Sequence, residues 1–333
     1  MLRVYLDQNK WIDLARAASG HADGARFSDA LAMAHAGVAA GAVSFVLDMY
    51  RYWETSKRGD KRSRNDVVDV MLDLSRNHTM ALPFELLDQE LDHALEHRFG
   101  RRADPRRRQV FGVGMRHIAK GRIDWPRVDL SELPDAGASI PSSLLAELSR
   151  EINESMEEGL LRAGPQELRT AGFEHAESDH AQRFVEFENK VAAAIAHHGL
   201  SGDAIDQAVR GTDFGDIQSA LTNALDRIDL TYDQFMAGIT VEDLMAFIDD
   251  LPTRYVTNVM RSAKHRQTQQ PWEPNDFVDV VALPVAAVYC DVVVTEKQWV
   301  HHLRHGRVHE RYDTMLLSNL ADLPQVLSDA SVA

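Results

Sequence analysis

The chain has 333 residues, one cysteine and a formal charge of −15, from 36 Lys and Arg against 51 Asp and Glu. Its length can bury a large core in one or two domains. The lone Cys290 excludes an internal disulfide framework and a four-cysteine zinc site, and it fits a reducing compartment. The acidic balance excludes a protein that coats nucleic acid through a global positive field, so any such binding must use local basic patches. No run of 18 apolar residues is present, so no membrane span is expected. No basic region followed by an apolar core opens the chain, so no signal peptide is expected and the compartment read from these features is the cytoplasm.

In chain order, 2-LRVYL-6 reads as a strand that ends on Asp7, and a helix follows over 11–19. Asp7 is four residues from Trp11, so Gln8 or Asn9 is the better expected cap of that helix. A helix over 27–40, a buried strand in 42-AVSFVLD-48 and a helix beginning 49-MYRYWETSK-57 come next. A polar, basic loop then leads to an amphipathic helix over 65–77. The segment 78-HTMALPF-84 reads as a third short strand stopped by Pro83, and 85–99 as a helix. Strands alternating with helices predict a parallel, doubly wound sheet.

Residues 125–265 change character. Helical patterns at 142–163, 176–199, 217–230 and 239–251 dominate, the last with Thr240 as N-cap and Asp243 three residues on. This acidic block shows neither a repeat nor metal-ligand spacing. Strand and helix signals return with a helix over 275–289, a strand in 290-CDVVVTE-296, a helix over 297–305 and a last strand in 313-DTMLLSN-319. The expected organisation is one α/β domain split into 1–124 and 266–333, with a helical insertion or subdomain at 125–265.

Five acids occupy matching points of this layout. Asp7 ends the first strand and Glu296 follows the strand after Thr295. Glu54 lies one to two helical turns beyond the second strand. Asp276 and Asp279 stand at i and i+3 in the helix before strand 290–296, on one face. Strand C-termini of a parallel sheet share an edge, so these carboxylates can meet. Carboxylates in one pocket repel and raise one another's pKa, a penalty that a hard cation such as Mg²⁺ or Mn²⁺ removes. Such a site activates water and stabilises charge on a phosphoryl group. Basic runs to hold a polyanion are 57-KRGDKRSR-64 (Lys57, Arg58, Lys61, Arg62 and Arg64), a second from Arg98 through 101–109 to Arg116, Lys120 and Arg122, and 261-RSAKHR-266. Each acid and each basic run alone also reads as a cap, a surface residue or a solvated helix face. Cys290 lies in a strand pattern and reads as core.

The pattern in 6-LDQNKW-11, Glu54 in a helix after the second strand, and the acid–helix–strand–Thr–Glu order of 275-NDFVDVVALPVAAVYCDVVVTEKQW-299 resemble the PIN-domain superfamily of metal-dependent ribonucleases. The likeness covers about 1–100 and 270–320. Small PIN domains commonly carry Asp one residue beyond Glu296, where this chain has Lys297. The resemblance implies a three-layer α/β/α fold with a central parallel sheet, interrupted here by the helical insertion. It implies a metal-dependent endoribonuclease in which Asp7, Glu54 and Asp279 are core ligands, Asp276 and Glu296 hold a second ion or a bridging water, and Asn9 orients Asp7. The cofactor would be Mg²⁺ or Mn²⁺, the substrate RNA, and the role that of a toxin or defence effector with an antitoxin or regulatory protein as partner; a homo-oligomer is compatible with this. The alternative is a PIN-like module that has lost catalysis and binds RNA or protein. No GxxxxGK[ST] loop and no GxGxxG turn after the first strand point to a nucleotide cofactor.

Overall fold

A computed structural model describes residues 1–100, 109–118, 120, 127–132, 140–170 and 176–332. It holds six short strands: β1 (Leu2–Leu6), β2 (Val43–Val46), β3 (His78–Met80), β4 (Phe111–Val113), β5 (Val292–Val294) and β6 (Met315–Leu317). Four of them form a parallel sheet in the order β2-β1-β5-β6. The register sets Val4 against Val292 and Leu6 against Val294 on one side of β1, and Leu2 against Val43 on the other. Val4, Tyr5, Leu6, Phe45 and Val292 to Val294 are all buried, as expected of strands covered on both faces. An α/β architecture with a small parallel sheet is thus present, although most of the described chain is helical.

The third strand departs from its expected place. β3 pairs antiparallel with β4, and only a bridge between Leu47 and Thr79 ties it to the end of β2. That bridge is parallel, with the Leu47 N–H donating to the His78 carbonyl and the Met80 N–H to the Leu47 carbonyl, so β3 continues past the end of β2 rather than lying along it. The Thr79 hydroxyl turns to the Gly114 carbonyl. Pro83 does not end a strand but opens the helix Pro83–Phe99, at a position where a missing N–H costs nothing.

Helices cover both faces of the sheet. Gln8–Ala18 buries Trp11 and Leu14, and Trp11 meets Phe45 edge-on with ring centroids 6.0 Å apart. Pro274–Tyr289 lays Val278, Leu283 and Ala286 into the same core and delivers the chain to β5. Cys290, expected within a strand, is the buried C-cap of this helix, where burial pushes its thiol up.

The helical block shares its cores with the α/β elements. Leu161, at the end of helix Ser142–Arg162, and Val256 and Met260, in helix Pro252–His265, lie in the main core beside the sheet. Helix Asp203–Asp226 lays Ile217, Leu221 and Leu225 against Leu91, Ala94 and Leu95 of Pro83–Phe99, which builds a second core with Phe235 and Phe247. This helix begins well before the pattern read from 217, because Gly211 and Gly215 weaken its first half as a helical signal. Thr240 and Asp243 form the expected capping box. The boundary at 124–125 lies outside the described residues. Among the described residues no helix is long and apolar enough to cross a membrane.

Candidate functional site at the carboxyl edge of the sheet

The strand order sets the site. β1 leads to its neighbour β2 on one side, and β5 leads to β6 on the other, so the connections leave the β1/β5 pair in opposite directions. In open α/β sheets that divergence opens a crevice outside the carboxyl ends of the strands, where ligands bind. Asp7 and Thr295 stand there. The Asp7 backbone N–H donates to the Val294 carbonyl at 3.0 Å, and the Thr295 hydroxyl donates to Asp7 Oδ2 at 3.4 Å. Asp7 also caps helix Gln8–Ala18, its Oδ1 accepting the Gln8 N–H at 2.6 Å. The helix therefore starts at Gln8 rather than Trp11, with Asp7 itself as cap rather than Gln8 or Asn9. With no residue intervening between strand and helix, the carboxylate serves both.

The residue that organises the site, Arg51, is absent from the expectations drawn above. Asp48 caps helix Met49–Ser56 by accepting the N–H groups of Tyr50 and Arg51, and the next turn sends Arg51 inward until it is 1% exposed. Its Nη1 donates to Asp7 Oδ1 at 2.6 Å. Its Nη2 lies 2.8 Å from Glu54 Oε2, and its Nε 3.7 Å from Asp48 Oδ2. Burial works against the guanidinium charge, but the carboxylates of Glu54, Asp48 and Asp7 outweigh it and keep Arg51 protonated. The available signal was a charged residue inside the aromatic run 50-YRYW-53, between Asp48 and Glu54 at helical spacing.

Glu54 faces this guanidinium, yet burial pushes its carboxyl up to about 7, helped by Asp7 and Asp48 and opposed by Arg51. Asp279 is also pushed well above the ordinary carboxylate range. Burial is the chief cause, followed by the charge of Asp7 and then of Glu296, while Trp299 and Arg51 act the other way. The Trp299 indole N–H donates to Asp279 Oδ2 at 2.7 Å. Glu296, exposed at the cap of helix Lys297–His305, accepts from Asn9 Nδ2 at 3.0 Å. Asn9 therefore orients Glu296, not Asp7; Asp7 is oriented by Arg51, the Gln8 N–H and Thr295.

Asp276 has other partners. Its Oδ2 accepts from the Lys264 ammonium and from the Glu273 N–H in the capping box that opens helix Pro274–Tyr289. Its hydrogen bonds among the described residues lead away from the other acids, although the Lys264 ammonium lies 5.9 Å from the Trp299 ring centre. Of the basic runs, 261–266 is no surface patch. Arg261 and His265 are buried on Glu188, Lys264 is buried on Asp276, and Arg266 pairs with Asp206. In the first run Arg64 is buried, with its guanidinium on the carbonyls of Arg162 and Arg58, while Lys57, Lys61 and Arg62 are exposed. Arg58 is half-buried and donates to the Ser63 hydroxyl. In the second run Arg116 and Lys120 are exposed and Arg98 lies 3.8 Å from Asp243, whereas 101–108 and Arg122 fall outside the described residues.

The donor set is chemically suited to Mg²⁺ or Mn²⁺: hard carboxylate oxygens, in excess over the one guanidinium, two of them destabilised as anions. Hydrogen bonds among the described residues engage Asp279 through Oδ2 and Glu296 through Oε1, leaving the second oxygen of each outside those bonds. Among the described residues no group of three or more His, Cys, Asp or Glu side chains is arranged to grip a metal ion as it stands. No protein-family model matches this sequence, and no curated protein and no solved structure matches it.

Proposed function

We propose that the chain is a PIN-like metal-dependent endoribonuclease whose centre is formed by Asp7, Asp279 and Glu296, with Glu54 across Arg51. One observation carries the reading: the acids from the two ends of the sequence converge at the sheet's switch point with more negative charge than Arg51 offsets. Stability alone does not favour such an arrangement, and destabilised ionisable groups in a crevice mark functional sites. In this reading a bound Mg²⁺ or Mn²⁺ supplies Lewis-acid charge beside a phosphoryl oxygen and an activated water. The chain's own groups hold the carboxylates: Arg51 and Thr295 fix Asp7, Trp299 fixes Asp279, and Asn9 fixes Glu296. The exposed Lys57, Lys61 and Arg62, on the segment that follows the Glu54 helix, offer phosphate contacts that position a strand without reading its bases.

A second reading is favoured by Arg51 itself, a permanent cation amid the acids: a PIN-like module without catalysis that binds RNA. Incubation of a mixed RNA pool with wild type and Asp279→Asn, with and without Mn²⁺ or Mg²⁺, separates the two. Metal-dependent cutting lost in the variant is the expected result. RNA retention on the folded wild type without cutting, and indifferent to metal, would establish the second reading instead.

A further inference from the structure

Helix Lys297–His305 opens on its cap Glu296, at the carboxyl end of β5, and packs against β6. In a chain of net charge −15, the stretch 297-KQWVHHLRHGRVHERY-312 carries Lys297, Arg304, Arg307 and Arg311 with four histidines, against Glu310 alone. Trp299, Val300, His302 and Leu303 turn inward, which leaves Lys297, His301, Arg304 and His305 exposed at i, i+4, i+7 and i+8, one outward stripe. Among the described residues no acid pairs with this stripe. Arg304 Nη2 donates to the Leu316 carbonyl of β6 at 2.7 Å, a neutral acceptor. The Lys297 ammonium makes neither an ion pair nor a hydrogen bond among the described residues. His301 and His305 stack on each other, ring centres 6.3 Å apart. Lys10, on the helix capped by Asp7, joins the stripe at the edge: its Nζ donates to the Ser318 carbonyl, just past β6, at 3.0 Å. The neighbouring cations are engaged otherwise, Arg307 on Glu310 and Arg311 on the Asp249 carbonyl and the Tyr255 ring.

Resting on the RNA-handling reading above, we propose that Lys10, Lys297, Arg304 and the His301–His305 pair form a phosphate-binding bank on the β6 side of the carboxyl edge, and that a single RNA strand runs from this bank across the edge toward the basic run beyond β2. The strand order supports the path. The Glu54 helix and the basic run after it follow β2 at one end of the sheet, and Lys10 and Arg304 touch β6 at the other, with the β1/β5 crevice between them. A local positive stripe on an acidic protein draws a polyanion to itself, because the rest of the surface repels it. Successive turns of the helix set the cations about 5.4 Å apart, comparable to the step between phosphates along one strand. The stripe is one row, one helix wide, so it serves one backbone. Ring N–H groups of the two histidines add donors to the charges of Lys297 and Arg304. Such contacts position a strand and carry no base preference.

Fluorescence anisotropy of a labelled oligouridylate with the full chain in EDTA tests the bank without reference to cutting. Lys297→Gln with Arg304→Gln is expected to weaken binding about tenfold and to flatten the slope of log affinity against log salt by about 0.7 for each cation removed. The control is Arg183→Gln with Lys190→Gln, on helix Ala176–His197, where both residues are exposed and Arg183 likewise donates to a carbonyl. It removes the same charge and should change affinity less than about twofold. Lys297→Gln alone breaks no contact, so its share of the slope change is expected even where Arg304→Gln disturbs β6. No binding by folded wild type, or equal losses in the two double variants, would overturn the bank and leave the acidic centre as proposed. Polyglutamate binding as tightly as the oligouridylate would make the occupant an acidic protein and overturn it equally. The expected binding by a wild type that cuts no RNA with Mn²⁺ or Mg²⁺ would remove the nuclease reading and keep the bank.

Discussion

The buried charges of the helical block and those at the carboxyl edge of the sheet are organised differently. In the block, Glu188 accepts Arg261 on one oxygen and His265 on the other, Asp213 holds Arg254 and Asn258, and Lys264 is held by Asp276 of the helix that follows. Each acid there has a cation or imidazole of its own. At the edge one guanidinium is shared among Asp7, Asp48 and Glu54, and Asp279 and Glu296 are left to neutral donors. Matched pairs lock helices in register, while unmatched charge leaves a free-energy gain for something else to collect.

Removing the two central guanidiniums is the sharpest way to break this comparison. Arg51→Met and Arg261→Met each strand buried carboxylate charge, and each should cost roughly 3–5 kcal/mol in denaturant unfolding. Saturating Mn²⁺ should restore a substantial part of the loss in Arg51→Met and none in Arg261→Met, because binding to the folded state alone stabilises it. Equal responses would erase the distinction between the regions.

Glu90, on helix Pro83–Phe99 where it meets the block, hydrogen-bonds only neutral donors among the described residues and so tests what burial does to an acid without a paired cation. This buried acid accepts from the Thr253 N–H and hydroxyl and from Tyr289, and burial pushes it up to about 7 from an ordinary 4.5. The folded state thus binds more protons than the unfolded state between those values. Its contribution is fully present below about pH 4.5 and is lost as pH rises through about 7. The loss is about 3 kcal/mol, and Glu90→Gln should abolish it in unfolding curves taken from pH 4.5 to 8. If wild type and variant have parallel pH profiles, Glu90 is ionised throughout.

At the unmatched edge, Asp279→Asn should lower metal-dependent RNA cutting at least a hundredfold. It should also raise stability as pH rises, since the cost of burying this carboxylate and the repulsion from Asp7 and Glu296 both disappear. Cutting at wild-type rate by this variant would move the active centre elsewhere. The smallest effect expected is a few-fold fall in RNA retention for Lys61→Ala with Arg62→Ala, at unchanged stability and with a shallower salt dependence.

The sequence carried the sheet's framework because buried parallel strands are short apolar runs with abrupt ends: Leu2–Leu6, the core of 42–48 and the Val292–Val294 run all stand out. It placed Asp7 and Glu296 at one edge for the same reason. It did not disclose Arg51, because a charged residue beside Glu54 in a helix has the look of a surface pair until the helix is packed. Nor did it separate Asp276 from Asp279: both lie on one helix face, and only the position of Lys264, brought in by helix Pro252–His265, assigns the first to a structural ion pair. The run 261–266 misled for the mirror-image reason, since its cations answer acids far away in sequence. β3 keeps the parallel direction expected of it where it bridges Leu47, but the sequence carries no mark of β4, its antiparallel partner, because a three-residue segment does not show what pairs with its other edge.

The pairing of β1 with β5 has a consequence in time. Asn9 and Glu296 are 287 positions apart, so the edge they share is among the most distant contacts the chain makes. During synthesis β1 can pair early with β2, but its other side waits for β5 until most of the polypeptide exists. Long-range parallel pairing is also intrinsically slow. A chain halted midway has Asp7 and Arg51 yet lacks Asp279, Glu296 and the strand that seats them. Any activity that needs both halves of this edge therefore waits for β5, and the site assembles late in folding.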